Sequence, residues 1–204
     1  MIAVIDYGMG NLRSVHKALE SLGADAAIVS DAERLSLADK VILPGVGAFK
    51  DTIAGIEARG LRRVLSDFIG SGRPYLGICM GFQALFEESE EGGRHRGLGI
   101  LKGRVRKFKA DREHKVPHMG WNQVRAGADK KTCPLLKGIT EGSFFYFVHS
   151  YYVDPEDRDI IAGTTDYGIE FTSMIWKDNM FAVQFHPEKS QGDGLLMLKN
   201  FIDL

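Results

Sequence analysis

The sequence contains little cysteine and no excess of basic residues, and both features narrow its possible functions. Among 204 residues there are two cysteines, Cys79 and Cys133, too few for a disulfide scaffold, and no Cys-x-x-Cys pair or Cys/His cluster suggests zinc. Lysine and arginine number 26 against 27 aspartates and glutamates, so no net field attracts nucleic acid or an anionic membrane. We therefore expect a reducing compartment, no metal, and neither nucleic acid nor membrane as a partner.

Long apolar runs are also absent, and no basic segment precedes the apolar stretch that begins at Ile2. These features predict a cytoplasmic protein. The apolar content of 44% is ordinary for a globular chain, and no linker rich in proline or serine divides it. We expect a single domain spanning residues 1–204.

The first ninety residues alternate between short apolar strands and helices. Strands are predicted at 2–6, 26–29, 40–43 and 75–78, and helices at 12–22 and about 49–69. This alternation predicts an α/β fold with an open, mostly parallel twisted sheet flanked by helices. After a charged loop at 88–94, strands at 104–108, 122–125, 144–148, 160–164, 171–176 and 180–185 predict an added antiparallel portion, and a helix at 192–204 closes the chain.

Cys79 follows the apolar strand at 75–78, where that strand turns into a predicted helix. The apolar face of this helix comprises Phe82, Leu85 and Phe86. A residue at such a turn has a cramped backbone, and Gly77 and Gly81 lack the β-carbons that would clash. The first amides of the helix favour the nucleophilic thiolate. The pattern predicts an activated cysteine, although a free cysteine more often only fills core space.

Six histidines are candidates for the base that activates Cys79: His16, His95, His114, His118, His149 and His186. His16 lies inside a predicted helix and His95 in the charged loop. His114 and His118 flank Pro117, which excludes the helical i, i+4 spacing of a metal-binding pair. His149 ends an aromatic run at 144–148 and remains a competitor.

His186 differs from the others because Pro187 and Glu188 follow it. Proline forces the preceding residue into an extended conformation, in which residues i and i+2 point to the same side. Glu188 can then orient the imidazole as the third member of a catalytic triad. His-Pro-Glu alone could be a simple strand exit, but combined with the Cys79 turn it favours a triad of Cys79, His186 and Glu188.

These motifs resemble those of the class I, or triad, glutamine amidotransferases. The matching motifs are Gly77-Ile78-Cys79-Met80-Gly81-Phe82-Gln83 and His186-Pro187-Glu188. Other stretches resemble the glutaminase subunits of imidazole glycerol phosphate synthases, so that the resemblance covers nearly the whole chain. They are Asp6-Tyr7-Gly8-Met9-Gly10-Asn11-Leu12, Leu43-Pro44-Gly45-Val46-Gly47, Pro117-His118-Met119-Gly120-Trp121-Asn122 and Tyr146-Phe147-Val148-His149-Ser150-Tyr151. The resemblance implies a flavodoxin-like fold.

The resemblance also implies hydrolysis of glutamine to glutamate and ammonia without a cofactor. Cys79 would form a thioester, His186 would protonate the ammonia and then activate water, and Glu188 would orient His186. The amides of Val46 and Met80 would hold the oxyanion. The positions that match the family's glutamine site are Gly47, Gln83, Glu91, Ser150 and Tyr151.

The implied partner is a cyclase subunit with a (β/α)₈ barrel, joined in a heterodimer. It would use the ammonia to form imidazole glycerol phosphate and aminoimidazole carboxamide ribotide in histidine biosynthesis. The positions that match the interface are Asn11, Trp121, Tyr146 and Lys189. Core packing of the two aromatic residues and a solvated lysine are the alternative. Two other functions stay open: a stand-alone cysteine hydrolase of the same fold, and a paralogous subunit that feeds a synthase for surface-sugar amidination.

Overall fold

The computed structural model describes residues 1–127 and 132–204, which form one twelve-stranded sheet and one two-stranded sheet with helices around them. The strands are β1 (Ile2–Ile5), β2 (Ala26–Val29), β3 (Lys40–Gly45), β4 (Tyr75–Cys79), β5 (Phe86–Ser89), β6 (His95–Arg96), β7 (Leu101–Lys107), β8 (His118–Gln123), β9 (Arg125–Ala126), β10 (Phe144–His149), β11 (Tyr151–Pro155), β12 (Ile161–Asp166), β13 (Glu170–Lys177) and β14 (Met180–Val183). The helices are α1 (Leu12–Ser21), α2 (Ala32–Ser36), α3 (Phe49–Ala58), α4 (Leu61–Gly70), α5 (Met80–Gln83) and α6 (Gln191–Ile202).

Five strands form the parallel part of the large sheet, in the order β2-β1-β3-β4-β14. Successive side chains of β1 enter opposite cores: Ala3 and Ile5 pack with residues of α3 and α4, and Ile2 and Val4 with residues of α1 and α6. A strand buried on both faces is apolar at every position, which is why the fully buried strands β1, β4 and β14 are continuous apolar runs. The prediction of a mostly parallel sheet between two helical layers is confirmed.

The sheet continues from β14 into β13, β11, β7, β5 and β6, where most of the pairs are antiparallel. β12 pairs with β13 and with β9, while β8 and β10 form the separate two-stranded sheet. The predicted antiparallel portion is therefore confirmed, with four differences in the strands. The predicted strand at 122–125 is the end of β8 and the start of β9, and β5, β6 and β11 were not predicted.

Two predicted helices differ from those in the structure. The helix expected at 49–69 is two helices, α3 and α4, because Gly60 between them has a φ of 65° that L-residues avoid. The helix expected after Cys79 is the single turn of α5, and Phe86 begins β5 instead, opposite Leu101 of β7. Part of the predicted charged loop therefore belongs to the sheet.

The site is determined by three neighbouring strand ends. Gly45 at the end of β3 is the register partner of Cys79 at the end of β4, and Val183 at the end of β14 is the partner of Ile78. Parallel strands bring their carboxyl ends to one edge, where open α/β sheets bind ligands. The Cys79 turn, the loop after β3 and the segment that leads to His186 therefore meet there.

Candidate active site

Cys79 has a strained backbone at the sharp turn between β4 and α5. Its φ is 54° and its ψ is −105°, outside the regions that L-residues commonly occupy. A β-carbon on Gly81 would lie 1.8 Å from the carbonyl oxygen of Leu43, and one on Gly77 would lie 2.8 Å from that of Gly81. The prediction that this turn needs both glycines is confirmed, because backbone atoms occupy the space that side chains would take.

His186 and Glu188 form a buried pair next to this turn. His186 is extended, with φ −106° and ψ 94°, as expected before Pro187. Its Nδ1–H donates to Oε1 of Glu188 over 2.8 Å, and the two side chains are 2% and 0% exposed. The expected pairing is confirmed, but Glu188 reaches the ring through a 3-10 turn at Pro187–Lys189 and not along an extended chain.

The charges around His186 favour its protonated form. Burial alone would lower the pKa of His186, but the negative charges of Cys79 and Glu188 outweigh burial and raise that pKa to about 10. Nε2 of His186 is buried and has no hydrogen-bond partner in the described part of the chain. The site therefore presents an imidazolium to the cysteine, the arrangement that activates nucleophilic thiolates.

One cavity of about 340 Å³ joins the nucleophile to the predicted glutamine-binding residues. The predicted residues that line it are Val46, Gly47, Cys79, Met80, Gln83, Glu91, Ser150, Tyr151 and His186. Glu188 lies behind His186 and does not line it. A larger cavity of about 760 Å³ is lined by charged residues that include Arg94, Arg96 and Arg104, but none of the predicted site residues lines it. The smaller cavity is therefore the candidate active site.

Glu91 is also part of the frame of this cavity. Its Oε2 accepts a 2.6 Å hydrogen bond from the backbone amide of Phe49, the first residue of α3. A carboxylate at this position satisfies an otherwise unpaired amide of the helix and complements the helix dipole. This contact explains how a residue from a charged, glycine-rich stretch is held on the cavity wall.

Gln184 is a buried residue at this site that the sequence analysis did not identify. Its Nε2 donates to Sγ of Cys79 over 3.5 Å, and its Oε1 accepts from Nε2 of Gln83 over 2.9 Å. Gln83 also donates to the carbonyl oxygen of Tyr151 over 3.1 Å. The position two residues before His186, at the end of a buried strand, was the available signal for a side chain near the nucleophile.

The competitor His149 lines the cavity but has both ring nitrogens occupied. Its Nδ1 donates to the carbonyl oxygen of Tyr151 over 2.8 Å, and its Nε2 pairs with Nδ1 of His118 over 2.9 Å. Nδ2 of Asn122 donates to Nε2 of His118 over 3.2 Å. Burial lowers the pKa of His118 to about 4 and that of His149 to about 3. His149 is therefore a neutral structural group and does not act as the base.

The four predicted interface residues are connected, through one another or directly, to Glu188 or its neighbour in the chain. Asn11 donates to Oε1 of Glu188 over 3.3 Å, and Nζ of Lys189 lies 5.8 Å from the ring centre of Tyr146. The rings of Tyr146 and Trp121 are 6.2 Å apart, and Trp121 is 46% exposed. The alternative of core packing is therefore wrong for Trp121.

The described residues contain no cluster of three or more histidine, cysteine, aspartate or glutamate side chains that could hold a metal ion. Within residues 1–127 and 132–204, no helix is both long and apolar enough to cross a membrane.

The sequence model of the family described as "Glutamine amidotransferase class-I" matches residues 3–204. "Imidazole glycerol phosphate synthase subunit HisH" of Rhodopirellula baltica is 53% identical over 201 residues, 98% of this chain and 96% of that protein. The protein of the same name from Aquifex aeolicus is 53% identical over 199 residues, 97% of this chain and 94% of its own length. Among solved structures, PurLQS from Thermotoga maritima has a TM-score of 0.76 at 18% identity, covering 99% of this chain and 97% of that chain, and it shows the shared fold.

Proposed function

This chain belongs to the class-I glutamine amidotransferase family, and we propose that it is the glutaminase subunit of an imidazole glycerol phosphate synthase. Relatives with half or more identical residues over nearly the whole chain have that name. The observation that carries the proposal is one cavity lined by Cys79, His186 and the positions at which the family binds glutamine.

In the first half-reaction, the Cys79 thiolate attacks the side-chain amide carbon of glutamine. The negative charge moves to the amide oxygen, where the backbone amides of Val46 and Met80 stabilise it. As the carbon–nitrogen bond breaks, Nε2 of His186 gives its proton to the departing amide nitrogen, and a glutamyl thioester and ammonia remain. The raised pKa of His186 supports this role, because a proton donor must be protonated before the attack.

In the second half-reaction, neutral His186 takes a proton from water as the water attacks the thioester. Glutamate leaves, and the thiolate and imidazolium are restored. Glu188 keeps the proton on Nδ1, so Nε2 exchanges protons with substrate. Support for this orienting role comes from complete burial of the Glu188 side chain, which makes its position well defined.

We propose that the partner is a cyclase subunit with a (β/α)₈ barrel and that it receives the ammonia in a cytoplasmic heterodimer. It would convert that ammonia into imidazole glycerol phosphate and release aminoimidazole carboxamide ribotide. Support comes from exposed apolar side chains on β8 and β10, since the carbonyl of Tyr146 in β10 accepts a hydrogen bond from the backbone amide of His186. Met119 is 65%, Trp121 46% and Phe144 53% exposed. Large exposed aromatic residues are typical anchors of protein interfaces.

The test uses the complex with the cyclase subunit and measures ring closure with glutamine or with ammonia as the nitrogen source. Cys79→Ala should abolish the glutamine-dependent rate and leave the ammonia-dependent rate intact. Cys133→Ala is the matched control, because Cys133 is a buried cysteine that does not line the cavity. Loss of both rates in Cys79→Ala would contradict the role as an ammonia donor.

Two outcomes would favour the other functions. Rapid glutamine hydrolysis without any partner would indicate a stand-alone hydrolase. Co-purification with a barrel protein that uses ammonia for sugar amidination would indicate the paralogous subunit.

A further inference from the structure

We propose that Gln184 is a further catalytic residue, whose side-chain amide donates a hydrogen bond to the Cys79 thiolate and aligns it for attack. The catalytic part of this inference rests on the proposed function, but the contact itself exists without substrate. Gln184 directly follows β14 and is completely buried, and its Nε2 lies 3.5 Å from Sγ of Cys79.

The hydrogen bonds of Gln83 determine which end of the Gln184 amide faces the sulfur. Nε2 of Gln83 donates to Oε1 of Gln184 and to the carbonyl oxygen of Tyr151. The oxygen end of Gln184 is therefore occupied as an acceptor, and its NH₂ end must point to Sγ. A donor held in this way requires no reorientation when the sulfur is negatively charged.

A second chain of hydrogen bonds holds the Tyr151 carbonyl from the other side. His149 donates to that oxygen, His118 donates to His149, and Asn122 donates to His118. This order is possible because both histidines are neutral and each has one ring nitrogen as donor and the other as acceptor. The carbonyl that fixes Gln83, and through it Gln184, is thereby anchored to β8.

An amide donor differs from His186 in a chemically useful way. The imidazolium can transfer its proton to sulfur and quench the nucleophile, whereas an amide N–H cannot. Gln184 therefore stabilises negative charge on Sγ while His186 keeps its proton for ammonia. No bond of Gln184 is made or broken, and its hydrogen bond weakens as the charge on sulfur passes to the substrate oxygen.

The first test measures alkylation of Cys79 by iodoacetamide against pH on the full chain, with neither glutamine nor partner present. Gln184→Glu keeps the size of the side chain but places a carboxylate beside the sulfur, and Gln184→Met removes the donor without adding charge. We expect the midpoint of the pH–rate curve to rise by about one pH unit in Gln184→Met and by more in Gln184→Glu. In the complex, kcat for glutamine should fall about 10- to 100-fold, with KM changed by less than about threefold.

Ser173→Ala is the matched control. It removes the buried hydrogen bond that the Thr165 hydroxyl donates to the Ser173 hydroxyl, and Ser173 is close to Gln184 because its carbonyl accepts from the backbone amide of Gln184. It should lower thermal stability and leave the alkylation curve unchanged. If the Gln184 variants behave like this control, Gln184 is only structural and the proposal is overturned. If Gln184→Glu fails to fold, the curve of Gln184→Met decides.

The two proposals fail in different ways. If the wild-type complex does not hydrolyse glutamine, the proposed function is wrong, while the shifted alkylation curve still supports the contact between Gln184 and Cys79. If the complex is active and the curve of Gln184→Met is unchanged, only the role of Gln184 is wrong.

Discussion

Nδ2 of Asn11 donates a hydrogen bond to Oε1 of Glu188, and the same oxygen accepts a second hydrogen bond from Nδ1 of His186. The family resemblance places Asn11 at the subunit interface and Glu188 in the triad, and the structure joins the two by one hydrogen bond. Asn11 is half-buried. A partner that contacts Asn11 therefore touches a side chain that is hydrogen-bonded to the triad carboxylate.

We expect Asn11→Ala to reduce the kcat of glutamine hydrolysis about 3- to 10-fold, because Glu188 loses one donor but keeps its bond to His186. Asn11→Asp should reduce kcat further, since it places a second carboxylate beside Glu188. Glu188→Gln should cause a loss on the order of 10²-fold or more, because it removes the charge that orients and stabilises the imidazolium. Steady-state kinetics of the complex measure all three, and an unchanged kcat in Asn11→Ala would show that the bond does not matter.

Gly81→Ala should prevent folding or reduce the free energy of unfolding by more than about 3 kcal/mol, because its β-carbon would overlap the carbonyl oxygen of Leu43. Gly70→Ala is the control: Gly70 ends α4, and a β-carbon there would meet no atom within 4 Å. It should be neutral or slightly stabilising. Chemical denaturation compares the two variants, and similar stabilities would contradict the close approach of β3 to this turn.

The buried pair of His118 and His149 should make stability depend on pH. Burial holds their folded pKa values near 4 and 3, whereas each titrates near 6.5 when unfolded. Their contribution is complete above pH 6.5 and is lost as the pH falls toward the folded values, because the unfolded chain takes up protons first. We expect a loss of about 2 kcal/mol per histidine between pH 7 and pH 5. Urea titrations at several pH values should give a flatter dependence for His149→Gln, and parallel curves would refute this account.

Trp121→Ala should weaken binding of the cyclase subunit at least about 10-fold while leaving the stability of the isolated chain within about 1 kcal/mol. We expect this because Trp121 is 46% exposed and its ring lies edge-on to that of Tyr146, another predicted interface residue. Leu37→Ala is the control, since Leu37 is 75% exposed and precedes β3, at the amino end of the parallel strands. Calorimetric titration measures the affinity of each variant for the cyclase subunit, and equal affinities of the two variants would place the interface elsewhere.

Features that depend on neighbouring residues could be predicted from the sequence. The apolar run before Cys79 predicted β4, and the proline after His186 predicted its extended backbone; both are confirmed. The failures arise where distant strands compete with local pattern. Phe86 fits the apolar face of a helix, yet pairing with β7 draws it into a strand. Likewise, no local signal shows that Gln184 would meet Gln83, which lies 101 positions earlier.

The sequence by itself determined the parallel sheet, the nucleophile turn and the histidine with its carboxylate, because strand burial, glycine spacing and the residue before proline act over a few bonds. Only the tertiary structure decided that Gln184 contacts the sulfur, that the two histidines are neutral, and that Asn11 bonds to Glu188. Those contacts join side chains far apart in the chain. Their geometry and protonation depend on which strands are neighbours and on how completely water is excluded, and both are properties of the packed molecule.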